Sequence, residues 1–270
     1  MKAPITYLFV PGSRPDRFDK AMAAGADAVI LDLEDAVAPA AKDAARAAVA
    51  AWVAAHAQAR PRTVVRINDA ASQWFAADLV ALSGMGVELV MLPKTERRDA
   101  IEAVRAALGP ALQVLALIET AAGVDNADAI AATPGVQRLV FGNLDYAADL
   151  DLSGDERGLA YPSARLAHAS RAAGLVAPVA GVTPAIDDDA QLLADLAFAR
   201  AFGFGAKACI HPRQVGVIRQ AMRPTPAELD WARRVLAAVG GGDGVAQVDG
   251  KMVDRPVLIR ARGFLDRAAD

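Results

Sequence analysis

Eight short apolar runs, each followed by a longer segment able to form an amphipathic helix, recur along most of the chain, and no other feature restricts the possible folds as strongly. The runs are ITYLFVPG, DAVILDLEDA, RTVVRIND, VELVMLPK, LQVLALIET, QRLVFGNLD, GLVAPVAGV and AKACIHP. They are nearly continuous in apolar residues, as expected of strands buried on both faces of a parallel sheet. Between them lie Ala-rich stretches with charges spaced along one face. KDAARAAVAAWVAAHAQA is one, and TERRDAIEAVRAALG is another, closed by Gly109 and Pro110. Eight strand–helix units are the count of a (β/α)8 TIM barrel, and a chain of 270 residues suits one. A doubly wound open sheet, the main rival, would leave edge strands facing solvent, whereas all eight runs read as buried.

The expected division is a barrel over residues 1–222 and a C-terminal helical extension over residues 223–270. TPAELDWARRVL reads as a capped helix with proline in its first turn, GGGDG as a flexible break, and RPVLIRARGFLDRA as a second helix. Such an appendage is expected to pack on a neighbouring subunit.

Composition narrows the partners. With 54% hydrophobic and 23% charged residues the chain is ordinarily globular, and no stretch is long and charge-free enough to span a bilayer. MKAPITYLFVPGSRPDR has too few apolar residues for a secretory signal and reads as the first strand. The single cysteine, Cys209, allows no internal disulfide, so a reducing, cytoplasmic location is expected. A net charge of −3 with scattered basic residues speaks against nucleic acid. A small-molecule substrate is the expected partner, with neither nucleic acid nor membrane.

In a parallel barrel the chemistry gathers at the carboxyl ends of the strands. The polar residues there are Ser13 and Arg14; Asp32, Glu34 and Asp35; Arg66 and Asn68; Lys94; Glu119; Asp145; Thr183; and His211. Glu119 and Asp145 come from adjacent strands and suit a shared hard cation of the Mg²⁺ type. Spacing alone equally allows both to be structural glue with Arg66, Lys94 or backbone amides. Arg66 is a forked cation suited to a carboxylate or an enolate oxygen, or else an ion-pair partner of Asp32 or Glu34. Within LDLEDA, Asp32 and Glu34 share a face and Asp35 tips the other way. At least one of these acids orders metal-bound water or Arg66, and the spacing leaves open which. Arg14, Arg17 and Lys20 offer charge to a phosphorylated ligand or simply form a solvated helix face. His211 reads as a structural hydrogen-bonding residue. No phosphate-binding loop, dinucleotide pattern or nucleophile elbow is visible.

Taken together, LFVPGSRPDRFDKAMAAGADAVILDLEDAV, VRIN, MLPKTE, LALIETAAGV, FGNLDYAADL, GFGAKACIHPRQV and DGKMVDRPV resemble, in order and over nearly the whole chain, the citrate lyase beta-subunit-like proteins of the HpcH/HpaI aldolase superfamily. The resemblance implies a Mg²⁺-dependent carbon–carbon lyase, often trimeric, that cleaves or forms 3-hydroxyacyl thioesters of the citryl, malyl or citramalyl type. By motif, Glu119 and Asp145 resemble the metal ligands and Arg66 the substrate-binding arginine. Arg14 and Lys20 become contacts for substrate or coenzyme A phosphates, with Glu119 also facing substrate. Asp254, in GKMVDRP, resembles an acid/base residue delivered to a neighbouring subunit's site. Arg66, Asp254, Glu34 and Asp35 thus form the candidate catalytic set. The carrier is coenzyme A or an acyl-carrier protein. One departure stands out: many members read Gly-X-Glu-Asp where this chain has Gly142, Asn143, Leu144 and Asp145. Two alternatives accompany this reading, a class II aldolase using free pyruvate or oxaloacetate with an aldehyde, and a non-catalytic paralogue.

Overall fold

The computed structural model describes residues 3–239 and 246–268. Ten strands are described: β1 Thr6–Pro11, β2 Ala28–Asp32, β3 Thr63–Arg66, β4 Leu89–Leu92, β5 Gln113–Ile118, β6 Val136–Phe141, β7 Val179–Ala180, β8 Ala206–Cys209, β9 Ala246–Val248 and β10 Lys251–Val253. The helices are α1 Phe18–Ala23, α2 Lys42–Ala55, α3 Phe75–Leu82, α4 Arg98–Leu108, α5 Ala121–Asp125, α6 Ala127–Ala131, α7 Asn143–Asp149, α8 Ala160–Ala172, α9 Asp189–Ala201, α10 Pro212–Met222, α11 Pro226–Ala238 and α12 Arg255–Ala268.

Strands β1 to β8 pair in parallel in sequence order, and β1 pairs with β8, so the sheet closes and has no edge. Closure excludes the open doubly wound sheet and gives the (β/α)8 barrel. Inside it, Tyr7, Ile30, Val64, Met91, Leu115, Leu117 and Val140 form one cluster, while the intervening residues of each strand face the surrounding helices. This alternation accounts for the continuous apolar runs. Its parity also aims the next residues: Leu115, Leu117 and Glu119 fall on one face, as do Val64 with Arg66, and Ile30 with Asp32.

The ends of three strands differ from the sequence expectation. β2 stops at Asp32, so Glu34 and Asp35 lie in the following loop. β6 stops at Phe141 and α7 starts at Asn143, which puts Asp145 in the first turn of a helix and not on the strand. β7 keeps only two residues. Pro178 just before it has no amide to give to a ladder, although its carbonyl accepts from Gly205 at 3.0 Å.

The chain divides into two compact units, residues 1–218 and 219–270. In the second, Thr225 and Glu228 complete a reciprocal capping box at the start of α11. Trp231, Val235, Val253, Leu258 and Phe264 fill a small core of its own. The two expected helices are present as α11 and α12, and between them β9 and β10 add an antiparallel hairpin. Asp249 and Gly250 turn it with φ of 50° and 73°. Aspartate followed by glycine between short apolar runs is the signal of such a two-residue turn. The GGGDG break, residues 240–244, lies outside the described residues. No described helix is long and apolar enough to cross a membrane.

Candidate active site

One side of the barrel mouth is a saturated charge network. Arg66 donates through Nε and Nη2 to the two carboxylate oxygens of Asp32, at 2.7 Å each. Its Nη1 stands 2.8 Å from Glu34 Oε2, an ionic contact without hydrogen-bond alignment, and 3.8 Å from Asp35. Its guanidinium lies over the Phe9 ring, 4.9 Å from the centroid. Burial opposes the charge on Arg66, but Asp32, Glu34 and Asp35 outweigh it and hold the group firmly protonated. Glu34 bridges onward, accepting from Lys94 Nζ at 2.7 Å. Its carboxyl is raised by burial despite both cations.

A buried ammonium from α2 supports this network. Lys42 Nζ donates to the carbonyls of Leu33 and Glu34 at 2.7 and 2.8 Å and to Asn68 Oδ1 at 2.6 Å. Asn68 is tied to Asp78, and Asp78 to Arg46. Lys42 therefore pins the loop that carries Glu34. Lysine on a helix gave no sequence signal of this role, because the carbonyls it reaches become neighbours only when the loop folds back.

The opposite side is a pair of carboxylates. Glu119, only 2% exposed, uses Oε1 to accept from the backbone N–H of Lys94 at 2.8 Å. Lys94 presents that amide from a left-handed backbone with φ of 44°, a conformation a lysine adopts at some cost. Oε2 of Glu119 packs against Gly142, where a Cβ would collide with it. Burial and the charge of Glu34, followed by that of Asp145, push the Glu119 carboxyl up to about 8, with the Lys94 amide and ammonium pulling the other way. Asp145 is exposed, and its carboxylate has no hydrogen-bond or ion-pair partner among the described residues. A cleft of ≈ 370 Å³ opens between Arg66, Glu119 and Asp145, with Phe9, Leu117, Val140, Val182 and Ala208 as its apolar wall.

Among the described residues no group of three or more His, Cys, Asp and Glu stands in a metal-holding arrangement. Two oxygen-donor side chains are nevertheless the set a Mg²⁺ ion uses when water and substrate complete its octahedron. The raised carboxyl of Glu119, crowded by two further acids, is the observation that fits a cation there.

The remaining expected residues fall elsewhere. Arg14 is exposed and holds Asp16 at 2.8–2.9 Å. With Arg17, Lys20 and His211 it lines a second, larger cleft of ≈ 920 Å³ beside β1 and β8. His211 is exposed, and just before α10 its Nδ1 accepts from the Arg213 amide at 3.3 Å while its carbonyl accepts from the Gln214 amide at 3.1 Å. Asp35 is largely exposed, 3.8 Å from Arg66. Asp254, in the second unit, accepts from the Val257 amide at 3.2 Å and so caps α12.

Fold and site define a TIM barrel with an acidic, cation-ready pocket at the carboxyl ends of its strands. The chain belongs to the HpcH/HpaI aldolase/citrate lyase family, whose model matches residues 6–212. It is 42% identical over 273 residues to a citrate lyase subunit beta-like protein of Mycobacterium tuberculosis, covering 98% of this chain and 95% of that one. It is 37% identical over 276 residues to a (3S)-malyl-CoA thioesterase of Cereibacter sphaeroides, covering 97% and 94%. The crystal structure of CitE from M. tuberculosis in complex with magnesium, acetoacetate and coenzyme A superposes with a TM-score of 0.88 at 38% identity, over 99% of both chains.

Proposed function

We propose that the chain is a Mg²⁺-dependent carbon–carbon lyase that cleaves or forms a 3-hydroxyacyl thioester of coenzyme A, of the malyl or citramalyl type. The observation that carries this reading is the contrast at the mouth, where Glu119 and Asp145 have no ion-pair partner among the described residues while Arg66 is held by Asp32 and Glu34. Relatives named for malyl-CoA and citrate lyase, and a similar structure holding magnesium and coenzyme A, support it.

In the cleavage direction the bond between C2 and C3 of the thioester breaks. Its electron pair passes into the thioester carbonyl as an enolate, the hydroxyl proton leaves to a base, and a proton returns to C2. The products are a 2-oxo acid and a shorter acyl thioester. Mg²⁺ held by Glu119 and Asp145 would polarise the oxygen of the forming 2-oxo acid and offset its charge. Arg66, fixed by Asp32 and Glu34 and lining the cleft, stabilises developing negative charge there without moving. Glu34 and Asp35 hold that arginine and order water beside it. Asp254 takes up and returns the proton, delivered by a neighbouring subunit of a homotrimer. Arg14 and Lys20, in the basic cleft beside β1, receive the phosphates of coenzyme A.

Steady-state assays with malyl- and citramalyl-CoA, with and without Mg²⁺, test the reading. The expected result is Mg²⁺-dependent release of a 2-oxo acid and acetyl-CoA. Activity confined to free 4-hydroxy-2-oxo acids, or thioester hydrolysis without carbon–carbon cleavage, overturns it.

A further inference from the structure

Between the barrel wall and helices α8 and α9 lies a cavity of ≈ 470 Å³ that the mechanism above does not use. Small residues leave this space unfilled: Ala180 and Gly181 at the short strand β7, Ser163 on α8 and Ala199 on α9. Phe141, Phe198 and Phe204 make its lining mostly apolar. Alternation along β8 turns Lys207 into the same layer, since Ala206 and Ala208 belong to the cluster inside the barrel. A lysine is rarely so enclosed without a carboxylate partner. Lys207 is 2% exposed, and its ammonium makes one hydrogen bond among the described residues, to the Gly181 carbonyl at 2.8 Å. Burial pulls its amine down to about 8 against the opposing charge of Asp195.

Two acids also line the cavity. Asp195 already accepts from Thr183 Oγ1 and Gln191 Nε2, and Glu156 is exposed. A carboxylate entering here would lie among these acids, an ammonium would lie beside Lys207, and either would leave water for an apolar space. An uncharged head that accepts a hydrogen bond from Lys207 avoids both costs.

This cavity adjoins the active-site cleft, because Phe141, Asn143 and Gly181 line both. Asn143 packs so closely on Gly181 that a Cβ there would collide with its Oδ1, an oxygen that is buried without a hydrogen-bond partner. Asn143 is also the first residue of α7, whose first turn carries Asp145. The partition between the two spaces is therefore an under-bonded side chain on the helix that holds a metal-ligand candidate.

We propose that this cavity is an effector site for a compact, uncharged molecule with an apolar body and a hydrogen-bond acceptor head, and that its occupant steadies α7 through Asn143. The body lies against Phe198 and Phe204, and the head accepts from Lys207 Nζ. Neither the site nor its effect on α7 depends on the lyase reading.

Calorimetric titration of the metal-free protein near pH 7 with benzamide, benzoate and benzylammonium tests the chemistry, because the three share a ring and differ in the charge of the head. Benzamide is expected to bind with a Kd on the order of a millimolar or below, and roughly tenfold or more tightly than either ion. Lys207→Met removes the donor and Ala199→Leu fills the space; each should weaken benzamide by roughly tenfold or more. Thermal melts show that the variants fold, and the three probes on the native chain decide the matter without them. Hydrogen exchange tests the link: benzamide should slow exchange of the α7 amides by roughly twofold or more. No binding of benzamide, preference for either ion, or unchanged affinity in the folded variants overturns the site. Binding without slower exchange in α7 overturns the link through Asn143. Absence of Mg²⁺-dependent turnover in the thioester assays overturns the lyase reading and leaves this site standing.

Discussion

The two sides of the barrel mouth contain the same kinds of residue in opposite states. Around Arg66, each of two cations meets a carboxylate at 2.7 Å, and Lys42 closes the backbone behind them. Glu119 and Asp145 are two carboxylates without an ion-pair partner among the described residues; Glu119 is buried with its carboxyl raised to about 8. Both regions occupy strand ends of one closed sheet, so the fold does not force the difference. An arrangement that leaves a buried carboxylate unpaired is destabilising by itself and becomes favourable once a cation binds. The saturated side is pre-organised for orientation, and the unsaturated side is built for a ligand.

The sharpest way to break the contrast is to neutralise the unpaired side. Glu119→Gln should abolish Mg²⁺ binding by calorimetry and lower turnover by roughly a thousandfold or more. The metal-free protein should at the same time gain stability. A carboxyl raised from 4.5 to about 8 binds protons more tightly folded than unfolded, so its stabilising contribution is present at low pH and is lost as pH rises through that range. At pH 8, Glu119→Gln should therefore melt a few degrees above the wild type without metal, and the gap should close near pH 5. Retained Mg²⁺ binding in the variant would remove the ligand role of Glu119.

The next largest effect tests whether the mouth is completed from outside. Asp254→Asn should reduce kcat by roughly 10²–10⁴-fold, the usual worth of a general acid or base. Mixing it with inactive Glu119→Gln chains should restore a fraction of the activity, because some mixed assemblies regain one intact site. Recovery would fail if each chain supplied its own Asp254, or if that residue only capped α12.

Proton linkage gives a third test. Mg²⁺ must displace the proton from Glu119, so its apparent affinity should rise by roughly 50-fold between pH 6 and pH 8 for a carboxyl near 8. A pH-independent affinity would separate the metal from Glu119.

The smallest effect should come from the saturated side. Arg66→Lys keeps the charge but loses the fork that grips both oxygens of Asp32, and kcat should fall by roughly 10–100-fold with Mg²⁺ affinity unchanged. A comparable loss of metal binding would show that the two sides act as one unit.

Much of this was legible in the chain before folding. Eight apolar runs bounded by helix signals pointed to the barrel over a doubly wound sheet, since none of the eight reads as an exposed edge strand, and the polar residues collected at strand ends marked the mouth. Asp249 and Gly250 carry a turn signal, yet the C-terminal hairpin was not expected, because the flanking strands of three residues each are too short for periodicity to register. Tertiary structure decided what pairs with what. Arg66 meets Asp32 and Glu34, 34 and 32 positions away, because β2 and β3 lie in register with Asp32 opposite Arg66. Lys94 reaches Glu34 across the mouth, so Glu119 receives only a backbone amide and keeps an oxygen against Gly142. Spacing left Glu119 and Asp145 equally open to a shared cation and to structural pairing. Closure of the sheet settled which charges are neutralised, because Coulombic pairing depends on distances of a few ångströms that no local pattern encodes.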